Sequence, residues 1–272
     1  MILHHQDLDH FQIEAPTEGS SHQWLYLVFV KGQIVPAPDQ GYCWTALPVQ
    51  EEHILQRHTL GSSDTCAFVA VEVAPNRILI EPEPLRSAII SDKLPGQILL
   101  QAGALINWGR NFRFCPRCKT RLEPVEKGAD RSRTCSQCSF RAYPVLSPCI
   151  IVLITRGDSI LLARSHRHPP GFRSLVAGFV EPGEDLEQAV AREVMEETGI
   201  KVTDIQYSSS QPWPFPHNLM VGFTARYESG ELTIDPEELA AADWYPVDKL
   251  PKLPPKQTIA RSLIDRWVER CM

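Results

Sequence analysis

Long hydrophobic runs are missing from this sequence of 272 residues. The longest apolar stretches, residues 24–30 and 149–154, are far shorter than the ~20 residues that a membrane-spanning helix needs. The N-terminus also lacks the basic segment followed by an apolar segment that marks a secretory signal. We therefore expect a cytoplasmic protein that does not enter a membrane.

An excess of positive charge is missing as well, since 27 Lys and Arg residues face 33 Asp and Glu residues, for a net charge of -6. This balance argues against a protein whose whole surface attracts nucleic acid. Segment 110–141 is the exception: nine basic and three acidic residues give it a local charge of +6. Either a solvated face beside a metal site or a nucleic-acid surface explains it.

Disulfide bonds are not expected, because the chain shows no export signal. Four of its eight cysteines form two C-x-x-C pairs separated by sixteen residues, namely Cys115, Cys118, Cys135 and Cys138. That spacing is typical of a tetrahedral zinc site, and four thiolates leave no open position, so we predict one structural zinc ion per chain. The isolated cysteines are interpreted as small buried apolar residues.

The pattern of apolar residues and turn signals divides the chain into three parts. Residues 1–110 predict a mixed α/β domain with strands at 24–30, 66–73 and 78–80 and a helix at about 96–108. The zinc ribbon occupies 111–143. A third domain, 144–272, has strands at 149–155, 159–164 and 175–179, a helix from Asp185 to about Thr198 that Gly199 ends, and a core-packing helix at 257–271.

The helix at 185–198 has an acidic continuation of its apolar stripe. Glu193 and Glu197 lie seven residues after Leu186 and Val190, so both carboxylates point to the side that the first two turns bury. Buried carboxylates must be paired or bound to metal. With Glu196 beside them, they supply hard oxygen ligands for Mg²⁺ or Mn²⁺.

From the residues alone, an ion-pair network centred on Arg192 explains this helix as well as a catalytic metal site does. The segment 178–200, however, resembles the Nudix box, G-x₅-E-x₇-R-E-U-x-E-E-x-G-U, where U is aliphatic. It matches every defined position: Gly178, Glu184, Arg192, Glu193, Val194, Glu196, Glu197, Gly199 and Ile200. The resemblance implies an α+β chain with a Nudix α/β/α sandwich, which hydrolyses a nucleoside diphosphate linked to another group.

The same resemblance implies the metal ligands and the catalytic residues. Two or three Mg²⁺ or Mn²⁺ ions would be held by Glu193, Glu196 and Glu197, with Glu197 also helping to activate the attacking water. The carbonyl of Ala177 and the carboxylate of Glu238 would be additional ligands. For Glu238, a first-turn helix carboxylate is the simpler alternative. Glu184 and Arg192 are expected to orient the helix as an ion pair.

Downstream, residues 210–218 read S-Q-P-W-P-F-P-H-N, a segment dense in proline and aromatic residues. A rigid surface loop is one interpretation, since prolines stiffen loops without any ligand. The segment also resembles S-Q-P-W-P-F-P-x-S, the signature of the NADH pyrophosphatase branch of the Nudix family. Asn218 replaces the final serine but still donates and accepts hydrogen bonds. The branch likewise has an N-terminal domain and a zinc ribbon before the Nudix domain.

By this resemblance, a set of residues would contact the dinucleotide. The pocket would be lined by Gln211, Pro212, Trp213, Pro214, Phe215, Pro216, His217 and Asn218. Phe179 would stack on a planar base or nicotinamide. Further contacts would come from Tyr143, Ala260, Lys31 and Arg86.

The function implied is hydrolysis of NADH, and of NAD, to NMN(H) and AMP. The same pocket would accept the NAD cap of an RNA 5′ end, with the basic zinc region guiding the RNA, and the branch implies a homodimer. Two alternatives remain open: a Nudix hydrolase of ADP-ribose or another nucleoside diphosphate derivative, and a non-catalytic zinc-ribbon protein that binds nucleic acid.

Overall fold

The structure is a computed structural model, which describes residues 11–13, 21–39, 41–125 and 130–272. It consists of two compact units. The first is Met1–Val145 with Pro214–His217, and the second is Leu146–Trp213 with Asn218–Met272. Glu126 and Lys127, which belong to the basic segment, lie outside the described residues. Among the helices of the described ranges, none combines the length and apolarity that a membrane crossing needs.

The first unit is built on a four-stranded sheet covered by a long helix. Its strands are β1 (Gln23–Val30), β2 (Gln33–Ile34), β3 (Ile54–Ser62) and β4 (Cys66–Val73), in the order β2-β1-β4-β3. Strands β1 and β4 are parallel, and all eight residues of β4 are buried, as expected for a central strand. A short 3-10 helix, Glu51–His53, precedes β3. Helices α1 (Leu85–Ile90) and α2 (Gly96–Asn111) follow, and α2 packs on β3 and β4.

The strand predicted at residues 78–80 is wrong. This segment bends, and Asn76 before it has a φ of 63°. Ile78 and Ile80 pack against the apolar cluster of β1 and β4, whereas Leu79 is exposed. An apolar segment can therefore cover a core through side-chain packing alone, and its composition does not require a hydrogen-bonded ladder.

A small three-stranded sheet completes the first unit. It consists of β5 (Leu122–Pro124), β6 (Arg133–Cys135) and β7 (Arg141–Ala142), all antiparallel. Its core contains Trp108 of α2, Leu122 and Ala142 together with buried cysteines. The four clustered cysteines, which lie in or next to the turns that these short antiparallel strands border, are consistent with the predicted zinc ribbon.

The second unit contains a six-stranded sheet between two helices. Its elements are β8 (Ser147–Arg156), β9 (Ser159–Ser165), β10 (Val176–Phe179), α3 (Leu186–Thr198), β11 (Lys201–Trp213), β12 (Asn218–Ser229), β13 (Leu239–Pro246) and α4 (Ile259–Cys271). The strand order is β11-β12-β8-β9-β13, and β10 pairs with β8. A 3-10 helix, Val247–Lys249, follows β13. Strand β8 runs parallel to β12 and antiparallel to β10.

Alternate side chains of β8 pack on opposite helices. One face contributes Ile150, Val152 and Ile154 to the core that contains α3, and the other contributes Cys149, Ile151 and Leu153 to the core that contains α4. Because both faces of β8 are buried, side chains that alternate between the faces are all apolar, and the strand is a continuous apolar run in the sequence. The α/β/α sandwich implied by the sequence is confirmed.

The ends of α3 follow local rules. Asp185 caps its N-terminus in a capping box with Gln188, and Gly199 ends it with a φ of 70°. The predicted helix at 185–198 is confirmed.

Most of the proline-rich segment 210–218 belongs to strands. Strand β11 continues to Trp213 and β12 begins at Asn218, so only residues 214–217 form the loop between them. Pro212 is tolerated in β11 because this strand lies at the edge of the sheet.

Candidate active site

Helix α3 carries two buried acidic residues on the side that faces the sheet. Glu193 and Glu197 are 9% and 6% exposed, although both are of a residue type that is rarely buried. Their positions, one turn apart, continue the row of Ala189, Val190 and Val194, which pack into the core. The inward direction predicted for both carboxylates is therefore observed.

A distant loop brings a third carboxylate to the same place. The backbone N–H of Thr233 donates to the carbonyl of Thr198 at 3.0 Å, and that of Asp235 donates to the carbonyl of Glu197 at 3.0 Å. Carbonyls at the end of α3, which lack partners within the helix, thus hold the loop. The turn that follows places Glu238 so that one oxygen each of Glu193, Glu197 and Glu238 lies within 4.8 Å of the others.

The electrostatics of these three carboxylates, here called the carboxylate cluster, favour a bound cation. Burial, followed by the charges of Glu238 and Glu193, raises the pKa of Glu197 to about 8. Burial also raises the pKa of Glu193, against the opposing effect of Arg192. Ionised carboxylates at this spacing repel each other unless a cation lies between them. Oxygen donors in such a group fit Mg²⁺ or Mn²⁺.

Arg192 organises the side of the cluster that faces solvent. Its guanidinium donates to Glu184 at 2.5 and 2.9 Å, to Glu193 at 2.9 Å and to Glu196 at 2.9 Å. It also donates to the carbonyl of Phe179 at 2.9 Å. Arg192 therefore joins α3 to the end of β10 and to the turn before the helix. The predicted ion pair between Glu184 and Arg192 is confirmed.

Gly178 provides the space that the Glu193 carboxylate occupies. A Cβ atom at position 178 would lie 1.9 Å from the Glu193 carboxyl carbon and about as close to both of its oxygens. No side chain can be placed there without moving the carboxylate. From the sequence, Gly178 is only a matched position of the box, whereas the packing of β10 against α3 shows its physical role.

Two further residues predicted to be metal ligands are not members of the group of three converging carboxylates. Glu196 is exposed and pairs with Arg192, and its oxygens are outside the group held within 4.8 Å. Ala177 lies on β10, paired with Ile151 in the sheet, one residue before the glycine that contacts Glu193. Both remain predictions as ligands.

Some predicted substrate residues belong to the second unit. Phe179 is 51% exposed at the end of β10, so its ring is free to stack on a planar group. Both ends of the Gln211 amide are engaged: its nitrogen donates to the carbonyl of Gln257 at 2.8 Å, and its oxygen accepts from the N–H of Ile259 at 2.8 Å. Gln211 thus fixes the start of α4, next to the buried Ala260. Pro212, Trp213 and Asn218 lie where β11 and β12 pair.

The other predicted substrate residues belong to the first unit. Asn107 donates to the carbonyls of Pro214 and Pro216 at 3.0 and 3.3 Å. The guanidinium of Arg86 lies 4.8 Å from the centre of the Phe215 ring, so the structure brings these two residues together. His217 is partly buried. Lys31 is exposed in the turn between β1 and β2, and Tyr143 is exposed beside Arg141.

The four paired cysteines form a second group of potential ligands. The sulfur atoms of Cys118 and Cys135 are 3.4 Å apart, those of Cys115 and Cys138 are 3.5 Å apart, and all four lie within 4.8 Å of one another. Thiolates on a tetrahedral zinc ion, at ~2.3 Å each, would be about 3.8 Å apart. Hydrogen bonds from Thr120 lower the pKa of Cys118 to about 6, which favours the thiolate form. These residues fit zinc.

The chain matches one family model and is similar to several known proteins. A family model described as NUDIX domain matches residues 145–267. The chain is 50% identical over 187 residues to proteins named NAD-capped RNA hydrolase NudC from Salmonella heidelberg (strain SL476) and Salmonella typhi, over 69% of this chain and 72% of each relative. It is also similar to a crystal structure of a NUDIX hydrolase from Nitrosomonas europaea, with a TM-score of 0.48, 22% identity and coverage of 58% of this chain and 91% of that one.

Proposed function

The chain belongs to the NAD-capped RNA hydrolase (NudC) family of Nudix hydrolases, and we propose that it splits the diphosphate bridge of NADH and NAD into NMN(H) and AMP. The observation that carries this proposal is the carboxylate cluster. Three acidic side chains, two of them buried, converge beside the glycine that opens the Nudix box. Ionised carboxylates this close together, two of them buried, repel each other unless a cation lies between them.

A divalent cation, when bound, would withdraw charge from the phosphoryl oxygens and lower the pKa of a water molecule. Glu193, Glu197 and Glu238 would hold it, with Glu196 and the carbonyl of Ala177 as further donors. Arg192 keeps the Glu193 carboxylate and the end of β10 in fixed positions. Glu197, a buried carboxylate of the cluster, would also help to activate the attacking water by accepting its proton.

Substrate selection in this proposal depends on the residues outside the helix. Phe179 presents an exposed ring next to the carbonyl that Arg192 binds, so it can stack on a base or nicotinamide. The remaining contacts would come from the segment 211–218 and from Lys31, Arg86, Tyr143 and Ala260. Their assignment follows the resemblance to NADH pyrophosphatases.

A second activity, removal of the NAD cap from RNA 5′ ends, is supported by the name of the relatives, NAD-capped RNA hydrolase NudC. The reacting group is the same diphosphate, so the same chemistry serves both substrates. The basic segment 110–141 offers arginines for the RNA phosphates. One structural zinc ion, two or three Mg²⁺ or Mn²⁺ ions, a homodimer and a cytoplasmic location complete the proposal.

Product analysis with purified protein tests the proposal. With Mg²⁺ or Mn²⁺ present, NADH should yield equal amounts of AMP and NMNH, and an RNA that carries a 5′ NAD cap should yield NMN and a 5′-monophosphate RNA. ADP-ribose serves as the competing substrate at equal concentration. Cleavage of ADP-ribose with NADH left intact would assign the chain to another Nudix activity. Binding of RNA with no cleavage of any diphosphate would favour a non-catalytic nucleic-acid-binding protein.

A further inference from the structure

A concave region of the first unit lies between β3 and the ribbon strands β5 and β6. Its cavity has a volume of about 520 Å³. Sites for small-molecule ligands in proteins typically measure ~300–1,000 Å³. None of the residues named as metal ligands or dinucleotide contacts lines this cavity, although four of its arginines belong to the basic segment 110–141. Its residues therefore need a separate explanation.

The lining of the cavity is rich in arginine. It contains five arginines, Arg57, Arg113, Arg121, Arg131 and Arg133, against three acids, Glu72, Glu123 and Asp130. His58, which also lines it, contributes no charge near neutral pH, because burial lowers its pKa to about 4. The lining thus has a net charge of +2 on a chain whose net charge is -6.

Three of these arginines have structural partners. Arg131 donates to the carbonyl of Leu60 at 3.0 Å, and Arg133 donates to the carbonyls of Gly109 and Phe112 at 2.8 and 2.9 Å. Arg57 pairs with Glu51 at 2.8 Å. These contacts join the ribbon to the rest of the unit and account for the conformation of these side chains.

Arg113 and Arg121 differ, because within the described ranges of the chain they make no ion pair. Arg121 forms an isolated β-bridge with Phe114, the residue after Arg113, and both arginines are exposed at the rim of the cavity. Burial lowers the pKa of Arg133, and the charges of Arg121 and Arg113 lower it further. Three positive charges therefore lie near one another on this side of the cavity.

Two of the three acids of the cavity are engaged by other residues, whereas the exposed Glu123 on β5 makes no ion pair within the described residues. Glu72 is buried and accepts a hydrogen bond from Gln56 at 2.6 Å, with Arg110 at 3.6 Å. Asp130 pairs with Arg141.

We propose that this cavity binds a small phosphate-bearing ligand, which Arg113 and Arg121 contact at the rim. Arginine binds phosphate oxygens with two parallel hydrogen bonds, and two exposed guanidiniums that form no ion pair within the described residues suit a dianion. The cavity volume fits a small ligand. The exposed Phe114 ring beside these arginines is the kind of surface on which an RNA base stacks, so RNA is the alternative that the titrations below separate. The proposal does not depend on the reaction at the carboxylate cluster.

Calorimetric titration of the full, zinc-loaded chain with inorganic pyrophosphate tests the proposal, at constant ionic strength and without Mg²⁺ or Mn²⁺. The double variant Arg113→Gln/Arg121→Gln should bind pyrophosphate about tenfold more weakly or worse, as expected for the loss of two charge-assisted contacts. Arg77→Gln is the matched control, because Arg77 is an exposed arginine of the same unit that does not line the cavity. It should bind like the unchanged protein.

Parallel titrations with AMP and with an uncapped RNA oligonucleotide separate the sources of the phosphate. Binding of pyrophosphate or AMP that depends on the two arginines supports the proposal. Equal affinity in the double variant and the unchanged protein, an equal loss in Arg77→Gln, or binding of the RNA alone would overturn it. Arg113→Lys/Arg121→Lys keeps the charge but loses the paired geometry, so it should bind with intermediate affinity even if the glutamine variant does not fold.

Discussion

The two groups of potential metal ligands differ in how the chain assembles them. The paired cysteines come from two tight turns, each with its ligands three residues apart, and the four sulfur atoms already lie within 4.8 Å of one another. The carboxylate cluster combines two residues of one helix with Glu238, about forty residues later, and only three oxygens meet. The first group is complete without any other ligand. The second leaves coordination positions for water and substrate.

From this difference we expect the carboxylate cluster, and not the cysteine cluster, to hold the ions that take part in hydrolysis. A closed set of four thiolates can stabilise the ribbon but cannot hold a substrate. Buried carboxylates without a cation destabilise the fold. With a cation bound, they leave coordination positions open for water and substrate. Changes to the two groups should therefore separate activity from stability.

The largest effect on activity is expected from Glu197→Gln. Loss of a ligand and of the proton acceptor should lower kcat by about 10³-fold. The melting temperature without divalent cation should stay equal or rise, because a buried ionisable group is removed. Glu187→Gln, an exposed change in the first turn of the same helix, is the control for both measurements. A kcat for Glu197→Gln within tenfold of the unchanged protein would remove Glu197 from the mechanism.

Gly178→Ala should have the next largest effect. The added methyl group would overlap the Glu193 carboxylate, so the carboxylate must move away from the cluster. We expect kcat/KM to fall about 10²-fold, with a loss of about 1–3 kcal/mol in the free energy of unfolding from overpacking. Gly96→Ala is the control, since nothing lies within 4 Å of its Cβ position. Unchanged kcat/KM in Gly178→Ala would contradict the packing of β10 against Glu193.

The pH dependence of cation binding should show a smaller, graded effect. The pKa of Glu197 without cation is raised from 4.5 to about 8, so the carboxyl is protonated at lower pH and competes with the cation. The apparent affinity for Mn²⁺, followed by calorimetry, should rise about tenfold per pH unit towards pH 8 and then level off. The cation-free protein should lose stability as pH rises from 4.5 to 8, because its folded state binds the proton more tightly. An affinity independent of pH between 6 and 8 would contradict this.

The smallest effect on the reaction itself is expected from Cys118→Ser. Loss of one of four thiolates should release zinc, measured as metal content per chain, and lower the melting temperature of the first unit. The kcat of the remaining folded protein should change less than tenfold, since no cysteine belongs to the carboxylate cluster. Cys271 is exposed, so its predicted burial was wrong, in contrast to the other three isolated cysteines, which are buried. Cys271→Ser should change none of these quantities. A loss of kcat as large as in Glu197→Gln would mean that the two groups are not separate in function.

Features set by neighbouring residues could be predicted from the sequence. The limits of α3 follow from Asp185 and Gly199, and the inward direction of Glu193 and Glu197 follows from helical periodicity. The clustering of the four cysteines follows from their spacing. In each case the information lies within a few turns of chain.

Features that depend on distant contacts could not be predicted in the same way. The carbonyls of Thr198 and Glu197 hold the loop that carries Glu238, and no local pattern marks Thr233 and Asp235 as their partners. Only the family resemblance pointed to Glu238. The strand predicted at 78–80 failed because side-chain packing replaced strand pairing. The arginine-lined cavity was seen in the sequence only as a local excess of charge.

The central claim is that Glu193, Glu197 and Glu238 gather a divalent cation. Anomalous diffraction from a crystal of the protein soaked in Mn²⁺ tests it most directly. We expect a manganese peak at about 2.0–2.3 Å from a carboxylate oxygen of each residue. This peak should be absent from a Glu197→Gln crystal soaked in the same way. Ordered carboxylates with no manganese peak between them, at a Mn²⁺ concentration that supports hydrolysis of NADH, would contradict it.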